Sequence, residues 1–251
     1  MAHLAKSAAT AKPTPFHMLL TALQSRGVLR RVYTQNIDAL ELKAGLTVGG
    51  KDPKCIQLHG SVMEVICTQC SLIEHIYYHF STLNAGELPK CPQCIIRNQE
   101  RSLQGKRTAS TGGLLRPNII LYDETHSDSE HIATIQALDH ARADTLLVVG
   151  TSLKTFGSMQ LIKEFSKAVR FKRQGRAYYL DLESPPVGKL NIFDHAVKMD
   201  CQDFAKYMLK KQEQLPFWIT PISSLGGQED AEGWVTAGRL RNDLRPSWDW
   251  V

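Results

Sequence analysis

Apolar residues in this chain recur with a helical period in some segments and form short continuous runs in others. The first clear helix is predicted to start at Thr14-Pro15, because threonine is a common N-cap and proline suits the first helical position. Apolar side chains then recur at helical spacing from Phe16 to Leu23, and Gly27 can end the helix. The chain therefore enters its first predicted element within about 15 residues of Met1.

Later segments repeat the helical pattern. A capping box, Ser127-x-x-Glu130, precedes a segment that places Ile132, Ile135 and Leu138 on one helical face. The other two helical segments are Met159–Val169 and Gln202–Lys211. Between and before these segments lie runs that are too short for helices.

Short apolar runs predict strands: Leu29–Thr34, Cys55–Leu58, Val62–Ile66, Asn118–Tyr122, Thr145–Val149, Ala177–Leu182 and Ala196–Met199. Strands that alternate with helices favour an α/β fold with a Rossmann-like, doubly wound parallel sheet. The polar, basic segment Asn98–Gly113 is predicted to be an exposed loop. From about Leu215 the chain has no periodicity, and we expect a tail of uncertain order.

Composition and charge narrow the class of protein. The 251 residues are 43% hydrophobic and 22% charged, which is an ordinary globular composition. No apolar run approaches the roughly 18 residues of a membrane-spanning helix, and the N-terminus lacks the apolar segment of a secretory signal. We therefore expect an intracellular protein. The net charge of +5 and the basic clusters Arg97–Arg107 and Lys163–Arg176 suit a chromatin protein, although a solvated basic face is the commoner explanation.

Four of the six cysteines form two Cys-x-x-Cys pairs, Cys67 with Cys70 and Cys91 with Cys94. This is the spacing of a zinc ribbon, in which four thiolates fill a tetrahedral sphere and leave no position for substrate. We therefore predict one structural Zn²⁺; incidental buried cysteines are the alternative. A tight turn is expected at the second pair, which contains a proline.

Other residues could compete with this assignment or stand outside it. His75 and His79 lie between the cysteine pairs at i, i+4 spacing and could be ligands, but surface or packing roles are favoured. Cys55 is predicted to be a core residue of a strand, and Cys201 is left over.

Three polar motifs follow predicted strands. Gly150-Thr151-Ser152 lies where doubly wound sheets bind ligands, and its hydroxyl groups can hydrogen-bond a sugar; a plain loop is the alternative. His59-Gly60 follows another strand, where a lone histidine is more often structural than catalytic. Gln35-Asn36-Ile37-Asp38 suits amide recognition or, equally, an Asx turn that caps the next helix.

Taken together and in this order, the motifs resemble those of the sirtuins, which are NAD-dependent protein-lysine deacylases. The ordered set is Thr34-Gln35-Asn36-Ile37-Asp38, Leu58-His59-Gly60-Ser61, the paired cysteines, Arg116-Pro117-Asn118-Ile119-Ile120-Leu121-Tyr122 and Gly150-Thr151-Ser152. The similarity extends from about Thr14 to about Tyr207. Details such as Asp200-Cys201-Gln202-Asp203-Phe204 are most similar to the fungal branch that deacetylates nuclear histones.

The resemblance implies a reaction and a role for each motif. His59 would be the general base that draws a proton from the hydroxyls of the nicotinamide ribose. The acetyl oxygen of the substrate lysine would attack the ribose C1′, nicotinamide would leave, and O-acetyl-ADP-ribose would be the product. Asn36 and Asp38 would line the nicotinamide pocket, and Gln35 would contact the ribose.

The resemblance also implies contacts on the adenosine side of NAD. Gly150, Thr151 and Ser152 would bind this side of the cofactor, and Cys201 would lie near the adenine. Asp181 stands where the family usually has a ribose-binding asparagine, and its carboxylate can still accept from a ribose hydroxyl.

By the same resemblance, residues 1–212 would form a sirtuin-type catalytic domain with a zinc module, residues 67–94, inserted in it, and residues 213–251 would be the tail. The partner would be an acetyl-lysine protein, in particular a histone in the nucleus, with no direct nucleic-acid readout and no membrane. Its peptide would enter as a strand between Ile120–Asp123 and Phe156–Ser158. The alternatives are a catalytically inactive zinc protein that binds chromatin or a peptide, and a zinc-ribbon nucleic-acid binder.

The sequence departs from the sirtuin pattern at its start. Sirtuins open with a strand and a glycine-rich loop that approaches the cofactor pyrophosphate, and neither occurs in this sequence. An incomplete version of a longer protein and a degenerate homologue would both lack these elements. We expect an N-terminally incomplete sequence, with the first strand missing, that turns over only when this segment is supplied, because the remaining motifs are intact. Asp123 also stands where the family generally has glycine.

Overall fold

The computed structural model describes residues 2–108, 112–121, 124, 128–214 and 234–235. The helices are α1 (Ala2–Thr10), α2 (Pro15–Ser25), α3 (Leu40–Lys43), α4 (Phe80–Asn84), α5 (Pro92–Leu103), α6 (Ser129–Arg142), α7 (Phe156–Arg170) and α8 (Cys201–Gln214). The strands are β1 (Val32–Thr34), β2 (Cys55–Gln57), β3 (Gly60–Cys67), β4 (Ile73–His75), β5 (Leu115–Ile119), β6 (Thr145–Val149), β7 (Arg176–Asp181), β8 (His195–Lys198) and β9 (Trp234–Val235). Short 3₁₀ helices occupy Ile76–His79 and Val187–Ile192.

The chain divides into two compact units. The first unit comprises Met1–Pro13 and Arg31–Ser129, and the second comprises Thr14–Arg30 and Glu130–Val251. Within the described residues, no helix combines the length and the apolar character that crossing a membrane requires.

The second unit is built on a sheet with the strand order β6-β7-β8-β9, in which β6, β7 and β8 are parallel and β9 is antiparallel to β8. Successive side chains of β7 point to opposite faces of this sheet. Tyr179 packs in a core cluster with Ile162 and Val169 of α7, whereas Leu180 packs with Leu19 of α2 and Phe204 of α8. Helices therefore cover both faces, as a doubly wound sheet requires.

The first unit has two small sheets. β1 and β2 are parallel, and the order β4-β3-β5 is antiparallel. Ala5 and Ala8 of α1 pack in one core cluster with residues of β3 and β5. The Lys43 ammonium donates to the carbonyls of Ala8 and Ala9, which the end of α1 leaves without intrahelical partners, and to the carbonyl of Ala11 just beyond the helix.

The predicted α/β fold with parallel sheets is confirmed, and most predicted elements are present with shifted ends. α2 begins at Pro15 after the N-cap Thr14, and Gly27 follows the helix with a φ of +72°. β1 is shorter than the predicted Leu29–Thr34. Ser127 of the predicted capping box lies outside the described residues, and so do Tyr122 and Asp123.

One helix was not predicted, and two expectations from the sequence are wrong. The N-terminal residues form the unpredicted helix α1, and α5 extends to Leu103, into the segment that was predicted to be a loop. On α6, Leu138 is 51% exposed, and Asp139 is buried instead, at 1% exposure. The Asp139 carboxylate accepts from Arg30 Nε at 2.6 Å, and this ion pair makes the burial of the charge possible.

Candidate active site and metal centre

The four zinc-ribbon cysteines are positioned by one strand and one helix. Cys67 is the last residue of β3, and Cys70 lies in the turn that follows. Cys91 is the N-cap of α5, and Cys94 lies in its first turn. Pro92 begins this helix, so the tight turn predicted at the second pair is wrong; proline at the first helical position has a suitable φ and lacks an N–H that would have no partner there.

The four sulfur atoms lie within 4.8 Å of one another. Cys67 Sγ is 3.7 Å from Cys94 Sγ, and Cys70 Sγ is 3.6 Å from Cys91 Sγ. Tetrahedral zinc with Zn–S bonds of about 2.3 Å places its sulfur ligands about 3.8 Å apart. The donor set and its spacing therefore fit one structural Zn²⁺, as predicted.

The two histidines between the pairs have other partners. His79 Nε2 lies 2.6 Å from Glu74 Oε2, and His75 Nδ1 accepts from the Tyr77 N–H. The metal-ligand cluster found among the described residues consists of the cysteines alone. Cys55 is buried in β2, as predicted for a core residue, and burial raises the pKa of its thiol well above the ordinary range.

Local hydrogen bonds prepare Cys67 for metal binding. Burial disfavours its thiolate, but the N–H groups of Cys70 and Gln69 and the neighbouring thiols outweigh this and lower the pKa of Cys67 to about 7. Burial and the same sharing of protons raise the pKa of Cys91 to about 12. A thiolate is the form that ligates zinc, so the lowered pKa of Cys67 favours its ligating form.

Gly113 is a structural residue of this centre that the sequence analysis missed. A Cβ atom at this position would lie 2.4 Å from Cys67 Sγ and 2.9 Å from Cys94 Sγ. The Gly113 carbonyl also accepts from the Cys91 N–H at 2.8 Å. The only signal in the sequence is a glycine pair at the end of a polar segment, which is also typical of an ordinary loop.

His59 is held in the turn between β2 and β3. Leu58 N–H donates to the Thr34 carbonyl at 2.9 Å, and the His59 carbonyl accepts from Ile120 N–H at 3.1 Å. Gly60 has a φ of +77°, and a Cβ there would lie 2.1 Å from the Asn118 carbonyl oxygen. The position after His59 therefore requires glycine, which explains the His-Gly pair.

The segment Gln35-Asn36-Ile37-Asp38 follows β1 at the edge of the sheet where His59 follows β2. Because β1 and β2 are parallel, both segments leave from the carboxyl ends of neighbouring strands. Ile37 carbonyl accepts from Val62 N–H at 2.8 Å, which ties the segment to β3 just beyond His59.

The alternative that Asp38 forms an Asx turn is observed. Asp38 Oδ1 accepts from Leu40 N–H at 3.1 Å, and Ala39 between them has a φ of 58°. Asn36 N–H is held by Thr34 Oγ1 at 3.1 Å, and the Asn36 side chain is exposed. The turn orients the carboxylate, and the role of both residues in amide recognition stays a prediction.

The remaining predicted residues lie at the carboxyl ends of β6, β7 and β8. Gly150, with a φ of +57°, donates to the Leu180 carbonyl at 3.0 Å. The Tyr179 hydroxyl lies 3.1 Å from the Thr151 carbonyl oxygen and 3.3 Å from Asp181 Oδ2. Tyr179 therefore joins two predicted cofactor residues, and the sequence analysis missed it because its position in an apolar strand predicted only a core residue.

Cys201 begins α8, directly after β8. Asp200 Oδ1 caps this helix by accepting from the N–H groups of Gln202, at 2.7 Å, and Asp203, at 3.2 Å. Burial, and then the negative charge of Asp200, raise the pKa of Cys201. A neutral thiol beside a helix start can pack against a ligand, and its nearness to adenine stays a prediction.

The structure thus brings the predicted residues together as two sets. His59 and residues 35–38 share an edge in the first unit, and Gly150, Thr151, Ser152, Asp181 and Cys201 share an edge in the second. Each edge is the kind that binds ligands in parallel sheets. That one cofactor uses both sets stays a prediction.

Comparison with known proteins identifies the family. The family model described as the Sir2 family matches residues 1–157. The NAD-dependent protein deacetylase hst4 of Emericella nidulans is 37% identical over 218 residues, which are 81% of this chain and 35% of the relative. The NAD-dependent histone deacetylase HST3 of Saccharomyces cerevisiae is 35% identical over 235 residues, which are 86% of this chain and 51% of the relative.

A solved sirtuin structure concerned with substrate affinity is also similar to this chain. It has a TM-score of 0.63 and 25% sequence identity, and the match covers 82% of this chain and 75% of that chain. The chain therefore belongs to the Sir2 family, and the predicted likeness to its fungal members is confirmed. It spans between about a third and a half of the length of the two fungal relatives.

Proposed function

We propose that this protein is an NAD-dependent protein-lysine deacetylase that transfers the acetyl group of lysine to ADP-ribose and releases nicotinamide. The observation that carries the proposal is the position of His59. In a chain of the Sir2 family, His59 follows β2 at the same carboxyl edge at which residues 35–38 follow β1, and this supports a shared pocket for their side chains.

NAD, when bound, supplies the glycosidic bond to nicotinamide and the ADP-ribose that accepts the acetyl group. The second unit offers groups of the right chemistry for its adenosine side. Asp181 presents a carboxylate, an acceptor for ribose hydroxyls, and Thr151 and Ser152 present hydroxyls at the neighbouring strand end. Gly150 lacks a Cβ and so lets a ligand approach its backbone closely.

In the first unit, His59 would accept a proton from a ribose hydroxyl as general base. Asp38 uses Oδ1 to hold its own turn, and the carboxylate can also accept from the NH₂ group of the nicotinamide carboxamide. Asn36, which is exposed, would bind the same carboxamide, and Gln35 would contact the ribose.

The proposed substrate is an acetylated lysine of a histone, because the Saccharomyces cerevisiae relative is a histone deacetylase. A histone substrate implies that the protein acts in the nucleus. We propose no direct readout of nucleic-acid sequence. The substrate peptide would run beside residues 156–158. Phe156, the first residue of α7, is 85% exposed and offers an apolar surface to this peptide. The catalytic domain would comprise residues 1–212 with the zinc module 67–94 inserted.

The test is His59→Ala in the full-length protein, assayed by release of nicotinamide with an acetyl-lysine histone peptide. Loss of a general base lowers turnover by about 10²- to 10⁴-fold. His131→Ala is the matched control, because His131 is an exposed histidine of α6 that has no role in the proposed reaction. Unchanged turnover in His59→Ala, with zinc content equal in all variants, would exclude the proposed role of His59.

Calorimetry with NAD separates this enzyme from a catalytically inactive zinc protein. The enzyme binds NAD, and Asp181→Ala weakens this binding. A zinc-loaded protein that binds no NAD at millimolar concentration would contradict the proposed function.

A further inference from the structure

A cavity of about 380 Å³ in the first unit lies beside the metal centre, with Cys94 in its wall. The other lining side chains are Gln69, Arg97, Asn98, Arg101, Arg107 and Thr108. Among the described lining residues there is no carboxylate, whereas three carry a guanidinium group. We name this feature the arginine cavity.

The arginines of α5 share one side of the helix, and they are exposed where they line the arginine cavity. Arg97 and Arg101 are four residues apart and therefore share a helical face, and this face also carries Cys94 and Asn98. Cys94 is only 5% exposed and Asn98 is half-buried, whereas Arg97 and Arg101 are exposed. The arginine cavity is therefore open to solvent on its arginine side and closed at Cys94.

A turn after α5 brings the segment that carries Arg107 back against the end of the helix. Gly105 has a φ of +63°, and Lys106 N–H donates to the Arg101 carbonyl at 2.9 Å. Arg101 Nε then donates to the Arg107 carbonyl at 2.9 Å. This bond holds the end of α5 against the segment that carries Arg107 and Thr108, and so closes one side of the cavity.

The three guanidinium groups lack an acidic partner within the part of the chain that the structure describes. By contrast, Arg30 and Arg170 pair with carboxylates. Thiolates on zinc would add negative charge at Cys94, but Arg101 lies seven residues along the helix from it, about 10 Å. Much of the positive charge of the cavity therefore has no counter-charge in the described fold.

We propose that the arginine cavity binds the phosphoryl group of a phosphorylated serine or threonine of a partner protein. A phosphomonoester carries a charge of about −1.5 to −2 and three acceptor oxygens, which match converging arginine forks. A nucleic-acid strand has one charge per phosphate spread along a line, and its binding sites add aromatic side chains for stacking. The described wall of the arginine cavity contains no aromatic residue.

Calorimetry with the zinc-loaded full chain tests this site, with a Gly-Gly-phosphoserine-Gly-Gly peptide as probe and its unphosphorylated form as comparison. We expect the phosphorylated peptide to bind at least about tenfold more tightly. Arg97→Gln and Arg107→Gln should each weaken its binding by about tenfold, while Arg173→Gln, an exposed arginine of the second unit, should change it less than about twofold. Equal zinc content shows that the variants keep the module intact.

Several results would overturn the proposal. Equal affinity for both peptides would exclude recognition of the phosphoryl group. Unchanged binding of the phosphopeptide in Arg97→Gln and Arg107→Gln would show that its binding site lies outside the arginine cavity. Binding of inorganic phosphate without binding of the phosphopeptide would show a free-anion site. Tighter binding of a short oligothymidine, lost in the same two variants, would show a nucleic-acid site instead.

Discussion

The two units of this protein are stabilised by different kinds of core. In the second unit, β6, β7 and β8 bury apolar side chains on both faces of the sheet, under helices. In the first unit, Cys67, Cys91 and Cys94 are themselves members of the buried cluster. The core of the second unit is therefore held by the hydrophobic effect, whereas in the first unit we expect a metal bound to the cysteines to add to the apolar core and to join β3 to α5.

The units also position their proposed functional residues differently. In the second unit, the ends of three parallel strands are enough to bring Gly150, Asp181 and Cys201 to one edge. In the first unit, His59 needs two backbone hydrogen bonds and a glycine that no other residue can replace. A site on short strands therefore needs more local constraints than a site on a packed sheet.

The largest expected effect comes from removal of the metal. Cys91→Ser should remove a buried ligand, lower zinc content from about one ion per chain and unfold the zinc module, because structural zinc binding is itself folding free energy. Hydrogen exchange should then show loss of protection in β3, β4 and β5 and retained protection in β6, β7 and β8.

Cys55→Ala is the matched control for this experiment. Cys55 is as deeply buried as Cys91 but lies outside the ligand cluster, so zinc content and protection of β3 should stay unchanged. If β3, β4 and β5 kept their protection without zinc, the first unit would not need metal, and the contrast between the two cores would be wrong.

A smaller but still large effect is expected for Gly60→Ala. The new Cβ would meet the Asn118 carbonyl oxygen at 2.1 Å in a left-handed backbone, and we expect the free energy of unfolding of the first unit to fall by roughly 3 kcal/mol. Gly86→Ala separates the two causes, because Gly86 also has a positive φ, +82°, but open space around it.

Gly86→Ala should therefore show only the backbone cost of roughly 1 kcal/mol. Urea denaturation of Gly60→Ala and Gly86→Ala, monitored by hydrogen exchange, measures the loss of unfolding free energy in each variant. Equal losses in the two variants would mean that the contact with Asn118 does not constrain the turn after His59.

Tyr179→Phe should have a moderate effect on the second unit. Burial, followed by the charge of Asp181, raises the pKa of Tyr179 to about 12, so its hydroxyl stays protonated and can donate at neutral pH. The Tyr179 hydroxyl has two acceptors within reach, the Thr151 carbonyl and the Asp181 carboxylate. Its removal should lower the free energy of unfolding by about 1 kcal/mol and loosen the link between Thr151 and Asp181.

The comparison is Tyr207→Phe on α8, where the side chain is half exposed and removal of the hydroxyl should have little effect. Urea denaturation of the two variants gives the difference. If Tyr179→Phe were as stable as the unchanged protein, its hydroxyl would contribute nothing to this edge.

The smallest expected effect is a pH dependence of the second unit. His195 lies in β8, stacked on Tyr178 with ring centroids 5.2 Å apart. Burial lowers the pKa of His195; Asp194 opposes this shift and Arg176 adds to it. Because the folded pKa is below the unfolded value of about 6.5, the unfolded state binds more protons as the pH falls below that value.

The stabilising contribution of neutral His195 is therefore fully present above about pH 6.5 and is lost as the pH falls through its folded pKa. Thermal unfolding of the second unit between about pH 7.5 and 5 measures this slope. His195→Gln should make the slope shallower, and an unchanged slope would assign the pH dependence to other groups.

Some elements could be predicted because their signals are local. Thr14-Pro15 predicts the start of α2, and the run from Thr145 to Val149 predicts β6 with its observed ends. Other elements have no local signal. α1 is polar and alanine-rich, and its position depends on packing of Ala5 and Ala8 and on Lys43 at its end.

The same distinction explains the errors on α6 and α5. Helical spacing placed Leu138 inside, but the tertiary fold places Arg30 where it can pair with a buried Asp139. α5 is rich in polar residues and resembles a loop, yet metal ligands at its start fix its first turn. In both cases a distant partner outweighs the local pattern.

The sequence by itself determined the family, the α/β class and the four zinc ligands, because these depend on residue types at fixed spacing along the chain. Only the tertiary structure decided that Gly113 must leave room for Cys67 and Cys94, that Tyr179 joins Thr151 to Asp181, and that Arg107 returns to α5. These features depend on contacts between residues that are distant in sequence, and such contacts form only when the chain has folded.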